Sequence, residues 1–139
     1  MKLETAQVWH IDELTTEILR SLRSGKPSGD VNLVDGRALA VKASPAKDNS
    51  SEIVVGMAAL PLGFQTKLHS HAAEEVALVL GGRGVIEVSG VRHEISPGTL
   101  LLTPSNAPHV TYSDTDGPPL VILWFYAPPG SEQRWMPPK

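Results

Sequence analysis

A chain of 139 residues suits one domain with a genuine core. Hydrophobic, aromatic and charged fractions of 41%, 5% and 19% fit a β-rich globular protein better than a disordered or coiled-coil one. A net charge of −3 offers no basic surface for nucleic acid, and the lack of cysteine excludes disulfides and thiolate ligands, so any metal must be held by nitrogen and oxygen.

The opening Met1-Lys2-Leu3-Glu4-Thr5 lacks the apolar run of a signal peptide, and no segment approaches the roughly 20 apolar residues of a membrane span. A cytoplasmic protein with no membrane partner is the expectation. Ile11, Leu14, Ile18 and Leu22 then form an amphipathic helical stripe. Asp12 is a candidate cap, and Ser24-Gly25-Lys26-Pro27 stops the helix. Residues 1–30 thus read as a helical extension packed on the outside of the fold or on a partner subunit.

From residue 31 to 127 the chain reads as short strands between turns. The predicted strands are Arg37 to Ala43, Ile53 to Leu60, Val76 to Leu80, Val85 to Val88, Val91 to Ile95, Leu100 to Thr103, His109 to Ser113 and Leu120 to Tyr126. Ser89-Gly90 predicts a hairpin. Such a series without intervening helices predicts an all-β barrel or sandwich rather than a doubly wound fold. Residues 128–139, rich in proline and polar side chains, read as a surface tail.

The segment Gly63 to Gly82, GFQTKLHSHAAEEVALVLGG, carries the chemistry. On a strand His69 and His71 project from one face, Glu75 keeps their parity, and Glu74 points away. A third imidazole comes from His109 in PSNAPHVTYS. Taken singly each histidine reads as half-buried structure, but the combined spacing predicts a metal site of His69, His71, Glu75 and His109. His93 reads as a surface strand residue and His10 as remote. Trp9, Trp124 and Trp135 read as packing residues rather than a substrate platform.

These residues resemble the cupin superfamily. Its first motif has glycine, five residues, His-x-His, three or four residues, glutamate, six residues and glycine, which Gly63, His69, His71, Glu75 and Gly82 match in full. Gly90, Pro97, Gly98, Pro104 and His109 match a looser form of its second motif, with Thr99 and Ser113 where Asp and Asn are usual. The resemblance covers about residues 53–126. It implies a small double-stranded β-helix, a jelly-roll-like cupin barrel, and a homodimer.

Three imidazoles and a carboxylate suit one divalent transition metal per chain: Fe(II) first, with Mn(II), Ni(II), Co(II), Cu(II) and Zn(II) as further fits. Four ligands on an octahedral ion leave two adjacent open positions. Leu68, Ala77, Val79, Leu101 and Leu123 are candidate barrel-lining residues. Gln65 and Lys67 share the parity of His69 and reach toward the pocket mouth, and the small Ala77 leaves a roomy pocket. Tyr112 is a candidate catalytic acid or base, with Lys67 beside it. The reading taken forward is a dioxygenase acting on a small organic molecule. A non-oxidative lyase, decarboxylase or isomerase and a non-enzymatic ligand-binding module remain open.

Overall fold

The computed structural model describes residues 5–136. Its elements are a helix, α1 (Ile11–Ser24), and nine strands: β1 (Val31–Val34), β2 (Arg37–Ala43), β3 (Val54–Leu60), β4 (Glu74–Gly81), β5 (Gly84–Val88), β6 (Val91–Ile95), β7 (Leu100–Thr103), β8 (His109–Ser113) and β9 (Leu120–Ala127). The strands form two antiparallel sheets, ordered β1-β2-β3-β9-β4-β7 and β6-β5-β8. Together they enclose one core in a jelly-roll arrangement with an N-terminal helix.

The apolar runs of β2, β3 and β9 follow from what covers each face. Leu39, Val41, Ala58, Leu60, Ile122 and Trp124 point inward between the sheets, where Ile86 and Ile95 meet them. The alternate residues Ala38, Ala40, Met57, Ala59, Val121 and Leu123 point outward and pack beneath α1 against Ile18. Both faces are buried, so these strands read as continuous apolar stretches rather than alternating ones. Leu123, expected inside the barrel, therefore belongs to the helix side. Leu68, also expected to line the barrel, is 70% exposed.

The helix lies on the outside of the fold, with Ile18 and Ser21 buried. Burying Ile18 contributes roughly 1.5–3 kcal/mol. Its N-cap is His10, which makes no side-chain cap; Asp12 sits inside the first turn, placed to favour the positive end of the helix dipole. At the other end Gly25 adopts φ 70°, and its N–H donates to the Ser21 carbonyl. Asp30, just beyond, receives hydrogen bonds from Lys42 and Lys47, each at 2.8 Å. Burial raises the pKa of the Asp30 carboxyl, but the two ammonium groups outweigh that and hold it below its ordinary value.

A strand missing from the expected set, β1, joins β2 through Asp35-Gly36, both with positive φ, 53° and 88°. The Ser89-Gly90 hairpin forms as expected, with φ 50° and 82°. Gly56 on β3 lies opposite Trp124 on β9. A Cβ at Gly56 would overlap the indole, so glycine is what lets that ring lie flat against the strand. The segment after β9 is more than a surface tail. Residues 131–135 form a 3-10 turn, Glu132 is 1% exposed, and Trp135 and Met136 pack on the inner core. No helix among the described residues is long and apolar enough to cross a membrane.

Candidate metal centre

The histidine segment is not the continuous strand the spacing predicts. Between β3 and β4 it runs as irregular backbone alongside β8, touching it through isolated bridges at Gln65↔Tyr112 and His69↔His109. Four steps along the segment match three along β8, so one extra residue is accommodated near Lys67 and Leu68. Parity therefore fails backward from His69. Thr66 faces the inner cavity with His69, while Gln65 and Lys67 line only the groove outside it.

Backbone and side-chain hydrogen bonds together hold this segment against β8. His69 and His109 exchange backbone hydrogen bonds at 3.2 and 2.8 Å. The Thr111 N–H donates to Thr66 Oγ1 at 2.9 Å, and the Phe64 N–H donates to Ser113 Oγ at 2.8 Å. The His71 carbonyl accepts the Asn106 N–H at 2.8 Å. Ser113, where the family pattern usually has asparagine, thus ties the start of the histidine segment to the end of β8.

One donor nitrogen from each of His69, His71 and His109 lies within 4.8 Å of the other two. Each Nδ1 meets a nearby carbonyl: Lys67 at 2.7 Å for His69, Ala73 at 2.8 Å for His71 and Ala107 at 2.8 Å for His109. A carbonyl only accepts, so each Nδ1 carries the proton and each Nε2 presents a lone pair to the cluster. Nε2 of His71 is buried without a hydrogen-bond partner among the described residues. An unsatisfied buried nitrogen costs about 1–3 kcal/mol, which a shared ion would relieve. The residues present fit a divalent metal.

Within β4, Glu75 and Ala77 line the same cavity as His69 and His109, whereas Glu74 is exposed. Glu75 Oε1 lies 3.7 Å from His71 Nε2. The cavity has a volume of about 70 Å³, with Leu39, Leu60, Ile86 and Ile122 among its walls. Arg37, Trp124 and Trp135 also line it. Both tryptophans, expected only to pack, therefore face the site as well. Val79 and Leu101 sit in or against the inner core.

The structure does not bring Tyr112 to this cavity. On β8, His109 and Thr111 face inward, and the strand period turns Tyr112 outward. Its ring carries the Arg92 guanidinium 5.1 Å from the centroid, in a separate groove of about 580 Å³ that none of the four proposed donors lines. His93 lies on the exposed strand β6, and His10 at the start of α1 is remote, both as expected.

A nine-stranded, two-sheet barrel around clustered imidazoles defines a small metal-binding β-barrel class. The chain belongs to the cupin family: residues 56–126 match the family model for the Cupin domain. It is 36% identical over 66 residues to the dimethylsulfoniopropionate lyase DddW of Ruegeria pomeroyi, a match covering 48% of this chain and 43% of that one. The chain thus spans less than half the length of that lyase. Among solved structures it is similar to a salicylate 1,2-dioxygenase from Pseudaminobacter salicylatoxidans, with TM-score 0.69 and 16% identity over 86% of this chain and 34% of that one. A predicted oxalate decarboxylase from Thermotoga maritima gives TM-score 0.58 and 24% identity, covering 66% and 79%. At these identities the structural matches establish the fold alone.

Proposed function

We propose that this chain is a mononuclear metal-dependent dioxygenase acting on a small organic acid. His69, His71, Glu75 and His109 would hold one divalent transition metal, Fe(II) in this reading. When bound, such an ion supplies adjacent open positions at which a chelating substrate and dioxygen can react.

The observation that carries the reading is the cavity wall. Among the described residues the inner cavity wall contains no tyrosine, lysine or aspartate, and Glu75, its one carboxylate, is read here as a metal donor; Asp35 and Lys67 line only the outer groove. Proton-transfer chemistry needs a positioned acid or base within hydrogen-bond reach of the substrate, whereas oxidative cleavage can proceed without a dedicated one. Much of the wall is aliphatic, and the Ala77 methyl leaves space beside the donors. Arg37 brings a positive charge to the cavity wall.

Oxygen uptake by Fe(II)-loaded protein, measured across a panel of small carboxylates and diketones, tests the proposal. The expected result is one dioxygen consumed per substrate lost; turnover without oxygen consumption contradicts it. Lys67 in the outer groove and the resemblance to a lyase favour a second reading, non-oxidative bond cleavage. Full activity with redox-inert Zn(II) would select that alternative.

We also propose a homodimer. On the outer surface Leu100 and Leu102 of the edge strand β7 are 67% and 59% exposed, and they pair with Leu78 and Val76 of β4. Phe125, 39% exposed, lies across from Val76. An edge strand with such a face invites pairing. Sedimentation should show a dimer that Leu100→Glu converts to a monomer; a monomeric wild type contradicts it.

A further inference from the structure

The cavity beside the metal donors and the groove outside it, about 70 and 360 Å³, meet at a neck of four residues. Arg37, Thr66, His69 and Trp135 line both spaces. Arg37 arrives from one side, as the first residue of β2 after the Asp35-Gly36 turn.

Trp135 arrives from the other side on the segment that follows β9. That segment is anchored by Glu132, whose Oε1 accepts the Tyr126 hydroxyl at 3.0 Å and the Gly130 N–H at 2.7 Å. A carboxylate buried this deeply needs such donors, so it holds the turn in one place. Trp135 then meets Trp124 edge-on at 5.6 Å and 64°, and Tyr126 at 6.4 Å and 63°. The Arg37 guanidinium lies 6.0 Å from the Trp135 ring centroid.

We propose that this neck is a substrate clamp selective for small planar carboxylates: Arg37 binds the carboxylate, and the Trp135 indole supports the flat face of the molecule. The proposal rests on reading the cavity as a substrate site. A guanidinium presents a planar fork of donors that matches a carboxylate, and an indole offers a broad apolar face for a conjugated system. Size points the same way. A water takes about 30 Å³ of liquid volume, so the inner chamber of about 70 Å³ holds only about two or three, and only a few substrate atoms reach the metal donors. The remainder must lie at the neck and in the outer groove, where Phe64 adds a second aromatic wall and the charges of Lys67 and Asp35 oppose each other.

Binding of benzoate, benzamide and cyclohexanecarboxylate to the full chain, loaded with Zn(II) and metal-free, tests the clamp by titration calorimetry and tryptophan quenching. Benzamide removes the charge and cyclohexanecarboxylate the planarity. Wild type should bind benzoate saturably and at least tenfold tighter than either analogue. Arg37→Gln should abolish the preference over benzamide, Arg37→Lys should retain part of it, and Trp135→Leu should abolish the preference over cyclohexanecarboxylate. All variants should keep wild-type zinc content, and the Arg37 dependence should persist without metal. Absence of saturable benzoate binding overturns the proposal. So does an Arg37→Gln affinity within twofold of wild type, or an Arg37 dependence that vanishes with the metal. A protein that passes these tests but consumes no oxygen with any substrate keeps the clamp and loses the dioxygenase reading.

Discussion

His109 and the pair His69 and His71 reach one cluster from backbones of opposite character. His109 opens a regular strand, β8, hydrogen-bonded along its length to β5. His69 and His71 sit on irregular chain that touches β8 at two isolated bridges, one residue out of step. The regular strand sets the face on which His109 projects, and the Ala107 carbonyl orients its ring. The irregular segment combines scattered backbone hydrogen bonds to β8 with side-chain bonds at Thr66 and Ser113, and carbonyls fix its imidazoles. Changes on that side of the site therefore also reach β8, whose Thr111 and Ser113 make those bonds.

The largest expected effect is loss of a donor from either side. His71→Ala and His109→Ala should each weaken metal retention by more than about 100-fold, beyond the range typical of supporting residues, as read by chelator competition. Equal retention by either variant would dissolve the cluster as a metal site. Glu75→Gln should weaken it by at least about tenfold, while Glu74→Gln, on the exposed face, should change nothing.

Next come the supports peculiar to the irregular side. Thr66→Val deprives the Thr111 N–H of its acceptor at 2.9 Å. It should cost about 1–3 kcal/mol in denaturant unfolding and about tenfold in metal affinity. Affinity unchanged at reduced stability would mean that the irregular segment is positioned by its backbone alone. Gly56→Ala tests the wall rather than the ligands. The added methyl collides with the Trp124 indole, so stability should fall by about 1–3 kcal/mol while metal affinity holds.

The smallest effect lies far from the site. The folded pKa of Asp30 is depressed, so its stabilising contribution is complete above the ordinary carboxylate value and is lost as pH falls through the lower folded value. The Asp30 side chain is 41% exposed, which leaves Asp30→Asn costing less than about 1 kcal/mol at pH 7. That cost should vanish on acidification through this window; an equal cost at every pH would remove the charge from the account.

The same contrast explains what the amino-acid sequence disclosed. Strands β2, β6, β7 and β8 have the expected bounds, because alternation and turn residues act locally. Glu75 and Ala77 share a face on β4, as the strand period requires. His69 and His71 were recognisable from motif spacing, although the continuous strand assumed for them does not exist. The inward position of Thr66 was hidden because a bulge is decided by the neighbouring strand. Tyr112 differs, since its odd spacing from His109 already turned it outward. The Asp35-Gly36 hairpin was also readable as a strong turn signal. Arg37 and Trp135 were not recognisable as partners at a cavity neck, because tertiary closure across most of the chain brings them together.

Metal analysis of protein purified without added metal, alongside His71→Ala handled identically, tests the site itself. About one divalent transition ion per wild-type chain and essentially none in the variant is the expected result. Wild-type protein that carries no ion, and takes none up from micromolar Fe(II), Mn(II), Ni(II), Co(II), Cu(II) or Zn(II), would contradict it.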